Sequence, residues 1–125
     1  MVTPTKMISR SIYAKLELLN LGGSHKVRAA RQMIIDAERE GRLSRGATII
    51  EKTGGNLGIG LAIEANRRGY PLHLVVNPDF SELKKKILLG YGAKLVGINH
   101  LKRGCSTTET VGKVVDEGRR GGLNY

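Results

Sequence analysis

Residues 47–58 read ATIIEKTGGNLG, and this stretch decides the fold. Residues 47–51 form a compact run rich in β-branched side chains that is too short for a helix, so they predict a strand. The three glycines within residues 52–58 require a loop, and residues 59–68 return to helical spacing. A strand that leads through a glycine-rich loop into a helix is the unit from which parallel α/β sheets are built.

The same alternation extends in both directions along the chain. Residues 12–17 predict a strand, Gly22 and Gly23 a turn, and Ser24 the N-cap of a helix that ends at Gly41. Downstream, the predicted elements are a buried strand at 72–76, a helix from Ser81 to Gly90, a strand at 94–98, a loop at 99–106 and a helix at 107–117.

These elements predict one α/β domain over residues 1–125, an open parallel sheet flanked by helices in three layers. With 125 residues of which 40% are hydrophobic, the chain can bury one modest core, and its length does not require a second domain. The chain stops at Tyr125 where another strand could begin. This ending suggests a truncated chain, a processed product or one subunit of a split enzyme.

The charge of the chain is strongly basic. The 21 Lys and Arg against 11 Asp and Glu give a net charge of +10, which favours anionic partners such as nucleic acid, acidic membranes, phosphorylated ligands or an acidic subunit. The basic residues are spread along predicted helix faces and ends, as on an ordinary solvated surface. Since aromatic residues make up only 4% of the chain and Trp is absent, we predict no nucleic-acid partner.

The cysteine and histidine content limits the disulfides and metal sites that the chain can form. The single Cys105 excludes an internal disulfide, and the three histidines form no spaced zinc set with it, so no metal is expected. The N-terminus lacks the apolar core of a signal peptide, and no apolar run approaches the roughly 18 residues of a membrane span. These features predict a soluble, cytoplasmic protein with no membrane partner.

Two glycine-bearing loops lie where ligands collect in parallel sheets, outside the carboxyl ends of the strands. The first leads to Lys26 at a predicted helix start, where a lysine is either a Schiff-base nucleophile or an ordinary surface residue. The second, residues 53–58, offers unobstructed N–H groups that suit a carboxylate or phosphate, and Asn56 can add a hydrogen bond. A tight turn without a ligand explains this second loop equally well.

Taken together, the two loops resemble those of one enzyme family. Residues 20–28, NLGGSHKVR, resemble the pattern Asn-Pro-x-Gly-Ser-x-Lys-Asp-Arg of cysteine synthase and cystathionine β-synthase. Residues 53–62, TGGNLGIGLA, resemble the Thr-Ser-Gly-Asn-Thr-Gly-Ile-Gly-Leu-Ala loop of the same fold-type II pyridoxal-phosphate (PLP) enzymes. The resemblance covers only the N-terminal half of such an enzyme and implies its smaller, N-terminal domain.

The resemblance also implies a cofactor, a reaction and a set of site residues. Lys26 would hold PLP as the Schiff-base lysine and move the substrate α-proton, and Asn56 would hydrogen-bond the phenolic oxygen of the cofactor. The substrate carboxylate would bind the loop formed by Thr53, Gly54, Gly55, Asn56 and Leu57. The implied reaction is β-elimination or β-replacement on an amino acid such as an activated serine, as in cysteine biosynthesis.

The chain departs from the family pattern in two ways. The family serine falls on Gly54 and the second threonine on Leu57, which removes two hydroxyls from the carboxylate site. The loop for the cofactor phosphate and the residue facing the ring nitrogen belong to a C-terminal half that this chain does not have. A second polypeptide with that half, or a homo-oligomer, is therefore implied as a partner.

Two functions remain open at this stage. One is the PLP-dependent lyase or transferase, and the alternative is a non-catalytic binding or regulatory module that retains the fold. Gly54 and Leu57 favour the module, whereas Lys26 and Asn56 favour the enzyme, because a module without chemistry has no reason to keep both reactive positions.

Overall fold

The computed structural model describes residues 5–9 and 12–125, with side chains from residue 12 onward. Residues 1–4, 10 and 11 of the predicted domain lie outside the described residues. At the centre is a parallel sheet of three short strands, each paired with the next in chain order, which confirms the predicted sheet. Its strands are β3 (Ile49–Glu51), β4 (Leu72–Leu74) and β5 (Lys94–Leu95).

These strands are shorter than predicted. Beyond the regular ladder, Val75 donates its N–H to Glu51 O at 2.9 Å and Val96 to Leu74 O at 3.0 Å, and the chain then turns into loops. Val75 and Val76 are nevertheless buried, at 1% and 7% exposure. The apolar run therefore predicted burial correctly but overestimated the length of hydrogen-bonded pairing.

Five helices accompany the sheet within the described residues: α1 (Lys26–Arg39), α2 (Asn56–Arg68), α3 (Glu82–Gly90), α4 (Ile98–Lys102) and α5 (Thr107–Arg120). The short α4 takes up residues 99–102 of the loop predicted at 99–106, and also Ile98 from the predicted last strand. Helix α5 begins at the predicted residue, because Ser106 and Glu109 form a reciprocal capping box.

The beginnings of α1 and α2 differ from the prediction. His25, not Ser24, occupies the N-cap position of α1, and Ser24 Oγ instead accepts the backbone N–H of Lys26 at 3.2 Å. Helix α2 begins at Asn56, three residues earlier than predicted, because Asn56, Leu57 and Gly58 are helical rather than part of the loop. The glycines predicted to follow the C-terminal ends of these helices are correct. Gly41 and Gly69 adopt the left-handed conformation, with φ of 70° and 76°.

Helices cover both faces of the sheet. Leu72 and Leu74 of β4 are buried in a core that includes residues of α1, α2 and α3. His73, between them, points to the opposite face, where its Nδ1 lies 2.7 Å from the hydroxyl of Tyr125 beyond α5. The sheet thus forms the middle layer of three, as predicted.

A separate ribbon precedes the parallel sheet. Strand β1 (Thr5–Ser9), which was not predicted, pairs antiparallel with β2 (Ile12–Lys15). The predicted strand at 12–17 ends at Lys15, and a single 3-10 turn follows at Glu17–Leu19. Across the part of the chain that the structure describes, none of the helices has the length and apolar character needed to cross a membrane.

Candidate active site

Helices α1 and α2 meet at their N-terminal ends, and a glycine sets the distance between them. A Cβ atom on Gly60 would lie 2.9 Å from the backbone oxygen of Lys26 and 3.0 Å from Cα of Val27. Real Cβ contacts are almost never this short, and backbone atoms cannot rotate away as side chains can. Gly60 therefore permits α1 to begin directly against the first turns of α2.

This crossing brings the two predicted reactive residues into one neighbourhood. Asn56 and Gly60 are four residues apart in α2, so they lie on the same face of the helix, one turn from each other. Lys26 packs its backbone against that face at Gly60. The side chains of Lys26 and Asn56 are both exposed. Although they come from motifs well separated in sequence, both face solvent at the same helix crossing.

The predicted carboxylate loop divides into an extended part and a helical part. Gly55 is extended, with φ −81° and ψ −160°, while Asn56 and Leu57 belong to the first turn of α2. A Cβ on Gly58 would lie 2.8 Å from the backbone oxygen of Thr53, so the loop folds tightly over this turn. The N–H groups of the first turn have no acceptor within the helix and carry its positive dipole end. The loop can therefore bind an anion through its backbone.

The side chains of this loop face different environments. Gly54 is buried, and Leu57 packs against the hydrophobic core. Gly55 faces open space, since a Cβ there would meet nothing within 4 Å. The positions of the two missing hydroxyls, Gly54 and Leu57, thus both face inward.

The turn before Lys26 rests on the same helix. A Cβ on Gly22 would lie 2.8 Å from Cδ1 of Ile63 and 3.1 Å from Cγ2 of Ile59, and φ at Gly22 is +81°. A residue with a side chain would be unfavourable here because of both space and backbone conformation. Gly23 faces open space. The turn is therefore packed on one side and open on the side from which a ligand can approach.

A carboxylate that sequence reasoning missed ties this turn to α1. Glu17 accepts two hydrogen bonds from the Arg28 guanidinium, at 2.7 and 2.9 Å, and another from the side-chain amide of Asn20. Asn20 also donates to the backbone oxygen of Ser24 at 3.3 Å. Asn20 and Arg28 stand within the recognised motif, but Glu17 lies eleven residues from Arg28 and gives no local signal. Together these residues hold the turn on both sides of Lys26.

The Glu17 cluster predicts an acid-dependent loss of stability. Hydrogen bonding from Arg28, followed by that from Asn20, lowers the pKa of Glu17 from 4.5 to about 2 against the opposing effect of desolvation. A lowered folded-state pKa contributes stability above the ordinary pKa, and this contribution is lost as pH falls from 4.5 toward about 2. Glu17→Gln should lower the melting temperature at pH 7, and its difference from wild type should shrink across that range.

The measurement is thermal unfolding followed by circular dichroism at several pH values. The matched control is Glu40→Gln, which removes an exposed ion pair to Arg42, only two residues away, at 2.7 Å. The control should change the melting temperature little at any pH. A difference between Glu17→Gln and wild type that stays constant down to pH 2 would contradict the expected role of Glu17.

Comparisons with known proteins match the chain to one enzyme family. The family model described as pyridoxal-phosphate dependent enzyme matches residues 3–120. The chain is 49% identical over 85 residues to the probable cysteine synthase of Bacillus subtilis (strain 168), covering 68% of this chain and 27% of that protein. It is 51% identical over 89 residues to cystathionine beta-synthase of Apis mellifera, covering 71% of this chain and 18% of that protein.

A solved structure extends the likeness to the fold. The crystal structure of a hydrogen sulfide-producing enzyme from Fusobacterium nucleatum matches with a TM-score of 0.79 and 30% sequence identity, covering 92% of this chain and 39% of that one. The chain thus spans about a quarter of the Bacillus subtilis relative and about two fifths of the solved structure.

Proposed function

Because the chain belongs to the family of pyridoxal-phosphate dependent enzymes, we propose that it supplies the lysine-bearing, N-terminal part of an enzyme acting at the β-carbon of an amino acid. The relatives named cysteine synthase and cystathionine beta-synthase support β-elimination or β-replacement as the reaction class. The observation that supports the proposal is the close approach of the Lys26 backbone to Gly60, which lies one turn from Asn56 along α2.

The residues at this crossing suit the cofactor. Lys26 presents an exposed amine that would hold it, and Asn56 presents an exposed amide that would donate a hydrogen bond to its phenolic oxygen. Gly23 and Gly55 border open space, so neither loop obstructs a planar ring. When bound, PLP supplies an electron sink for negative charge developing at the substrate α-carbon.

The remaining tasks fall to the chain's own groups. The N–H groups at the start of α2, in the loop of Thr53, Gly54, Gly55, Asn56 and Leu57, would bind and orient the substrate carboxylate. With the carboxylate fixed there, the Lys26 amine would take up the α-proton and hold it at Nζ. We propose an activated serine as the substrate class, because its β-substituent is a leaving group.

A larger assembly is part of the proposal. The chain spans 27% of the Bacillus subtilis relative, and the β1–β2 ribbon stands apart from the parallel sheet. An isolated two-stranded ribbon is marginally stable in water. Large apolar side chains are exposed on β2 and just after it, at Ile12, Tyr13, Leu18, Leu19 and Leu21. We propose that the C-terminal half of the fold, on further sequence or on a second polypeptide, covers this region and completes the cofactor site.

A non-catalytic binding module remains the second candidate. The observation in its favour is the absence of hydroxyl side chains at Gly54 and Leu57, both of which face inward. Such a module would bind an amino acid through the loop without holding the cofactor on Lys26. Cofactor attachment therefore distinguishes the two candidates.

The proposed experiment maps where the cofactor attaches. The chain, alone and with the polypeptide that carries the C-terminal half, is mixed with PLP, reduced with borohydride, digested and analysed by mass spectrometry. We expect a visible absorbance band before reduction and a modified peptide that contains Lys26, both far stronger in the complex. Modification spread over other lysines, or a complex that binds an amino acid but no cofactor, would contradict the enzyme hypothesis.

A further inference from the structure

The loop between β4 and α3 fills the space behind Gly54. A Cβ on Gly54 would lie 2.8 Å from Cε1 and 2.9 Å from Cδ1 of Phe80, and 2.8 Å from Cγ1 of Val76. The φ angle of Gly54 does not lie in the positive range that favours glycine. Glycine is therefore required at position 54 by the space that Phe80 and Val76 occupy, and not by the conformation of the chain.

Phe80 is half-buried and lies in a hydrogen-bonded turn. Its backbone N–H donates to the oxygen of Asn77 at 3.0 Å, and the side chain of Asn77 accepts the N–H of Asp79 at 3.1 Å, which makes a tight turn. The ring packs against the core, and Nζ of Lys84 lies 5.7 Å from its centroid. The ring therefore fills the space behind Gly54 and packs against the core.

The loop consequently has a packed side and an open side. Gly54 rests on Phe80, and Leu57 packs against the core, whereas Gly55 between them meets nothing within 4 Å. Positions 54 and 57 both face the packed side, and these are the positions where the family pattern has hydroxyl residues. Asn56, next to Gly55, is exposed.

From this geometry we propose that Phe80 is a positioning residue that fixes the loop for recognition of an amino-acid carboxylate by main-chain N–H groups, without hydroxyls at positions 54 and 57. This inference rests on the proposed function. It explains the loss of the hydroxyl at position 54, because a serine there would meet the ring of Phe80. Without the ring behind it, the loop would lose the support that directs its N–H groups toward one ligand position.

The first measurement is a double-mutant cycle on melting temperature, and it needs no cofactor. Gly54→Ser should lower the melting temperature by roughly 5–10 °C through overpacking. The same change made in a Phe80→Leu background should cost clearly less, because the smaller side chain leaves room. Gly55→Ser is the matched control for stability, since a side chain there enters open space. Equal losses in the two backgrounds would overturn the proposed packing relation.

The second measurement is the affinity of the completed, cofactor-loaded enzyme for L-serine, obtained from the change in its visible spectrum. Phe80→Leu should weaken serine binding by about tenfold while leaving cofactor affinity unchanged, because the ring acts on the loop and not on Lys26. Leu83→Ala, at an exposed residue of α3, should alter neither affinity. An unchanged serine affinity in Phe80→Leu would overturn the positioning role alone. Absence of the cofactor band in wild type would instead overturn the proposed function.

Discussion

Replacement of Lys26 by alanine is expected to abolish attachment of PLP to the completed enzyme and to lower the β-elimination rate by about 10²–10⁴-fold. Alanine can neither hold the cofactor nor take up the α-proton. The Lys26 side chain is exposed, so its removal leaves the core intact and the melting temperature should stay unchanged. The measurements are the visible spectrum, the rate of keto-acid release and thermal unfolding.

Two further variants distinguish the loss of the reactive amine from the loss of a positive charge. Lys26→Arg keeps a positive charge at the helix start but presents no amine that can form the bond, so it should be as inactive as Lys26→Ala. Lys86→Ala removes an exposed lysine of α3 and should behave as wild type. Full cofactor attachment in Lys26→Ala, or its equal loss in Lys86→Ala, would show that Lys26 is not the attachment site.

Replacement of Gly60 by alanine is expected to destabilise the fold by about 1–2 kcal/mol, although alanine is intrinsically the better helix former by roughly 1 kcal/mol. The added methyl group would lie 2.9 Å from Lys26 O and 3.0 Å from Val27 Cα, so α1 must move away. The displacement would also carry Lys26 away from Asn56 and weaken cofactor binding. Denaturant unfolding and a cofactor titration measure the two effects.

The control for Gly60 is another helix-interior glycine. Gly112 lies within α5, and a Cβ there would meet nothing within 4 Å. Gly112→Ala should therefore raise the free energy of unfolding by roughly 0.5–1 kcal/mol. The two substitutions are chemically identical and are expected to have opposite signs. Stabilisation by Gly60→Ala would mean that the helix crossing tolerates the extra atom, contrary to the close contact described above.

Much of the fold could be predicted because the signals are local. The run at Leu72–Leu74 is apolar enough to indicate a buried strand, and Gly69 ends α2 through a backbone conformation that glycine favours. The beginning of α2 was less predictable, because glycine weakens a helix on its own. Glycine stands at positions 58 and 60 because neighbouring backbone occupies the space where a side chain would be, and that information is not local.

The candidate site likewise contains residues that the sequence could identify and residues that it could not. Lys26 and Asn56 could be identified through motifs, since each stands in a short recognisable stretch. The contribution of Glu17 could not be identified from a motif. Its partner Arg28 comes within hydrogen-bond distance only after the turn has folded back. Phe80 lies in neither motif, and its relation to Gly54 depends on contact between two loops that follow different strands. Spacing in sequence carries no signal for such contacts.

The tight crossing at Gly60 has a consequence for motion. Two helices in backbone contact cannot slide past each other without losing that contact, so α1 and α2 should travel as a rigid body. Any opening or closing of a cleft would therefore change the distance from α1 and α2 to the residues on the other side of the cleft. The spacing between the Lys26 amine of α1 and the Asn56 amide of α2 would be preserved during such a motion.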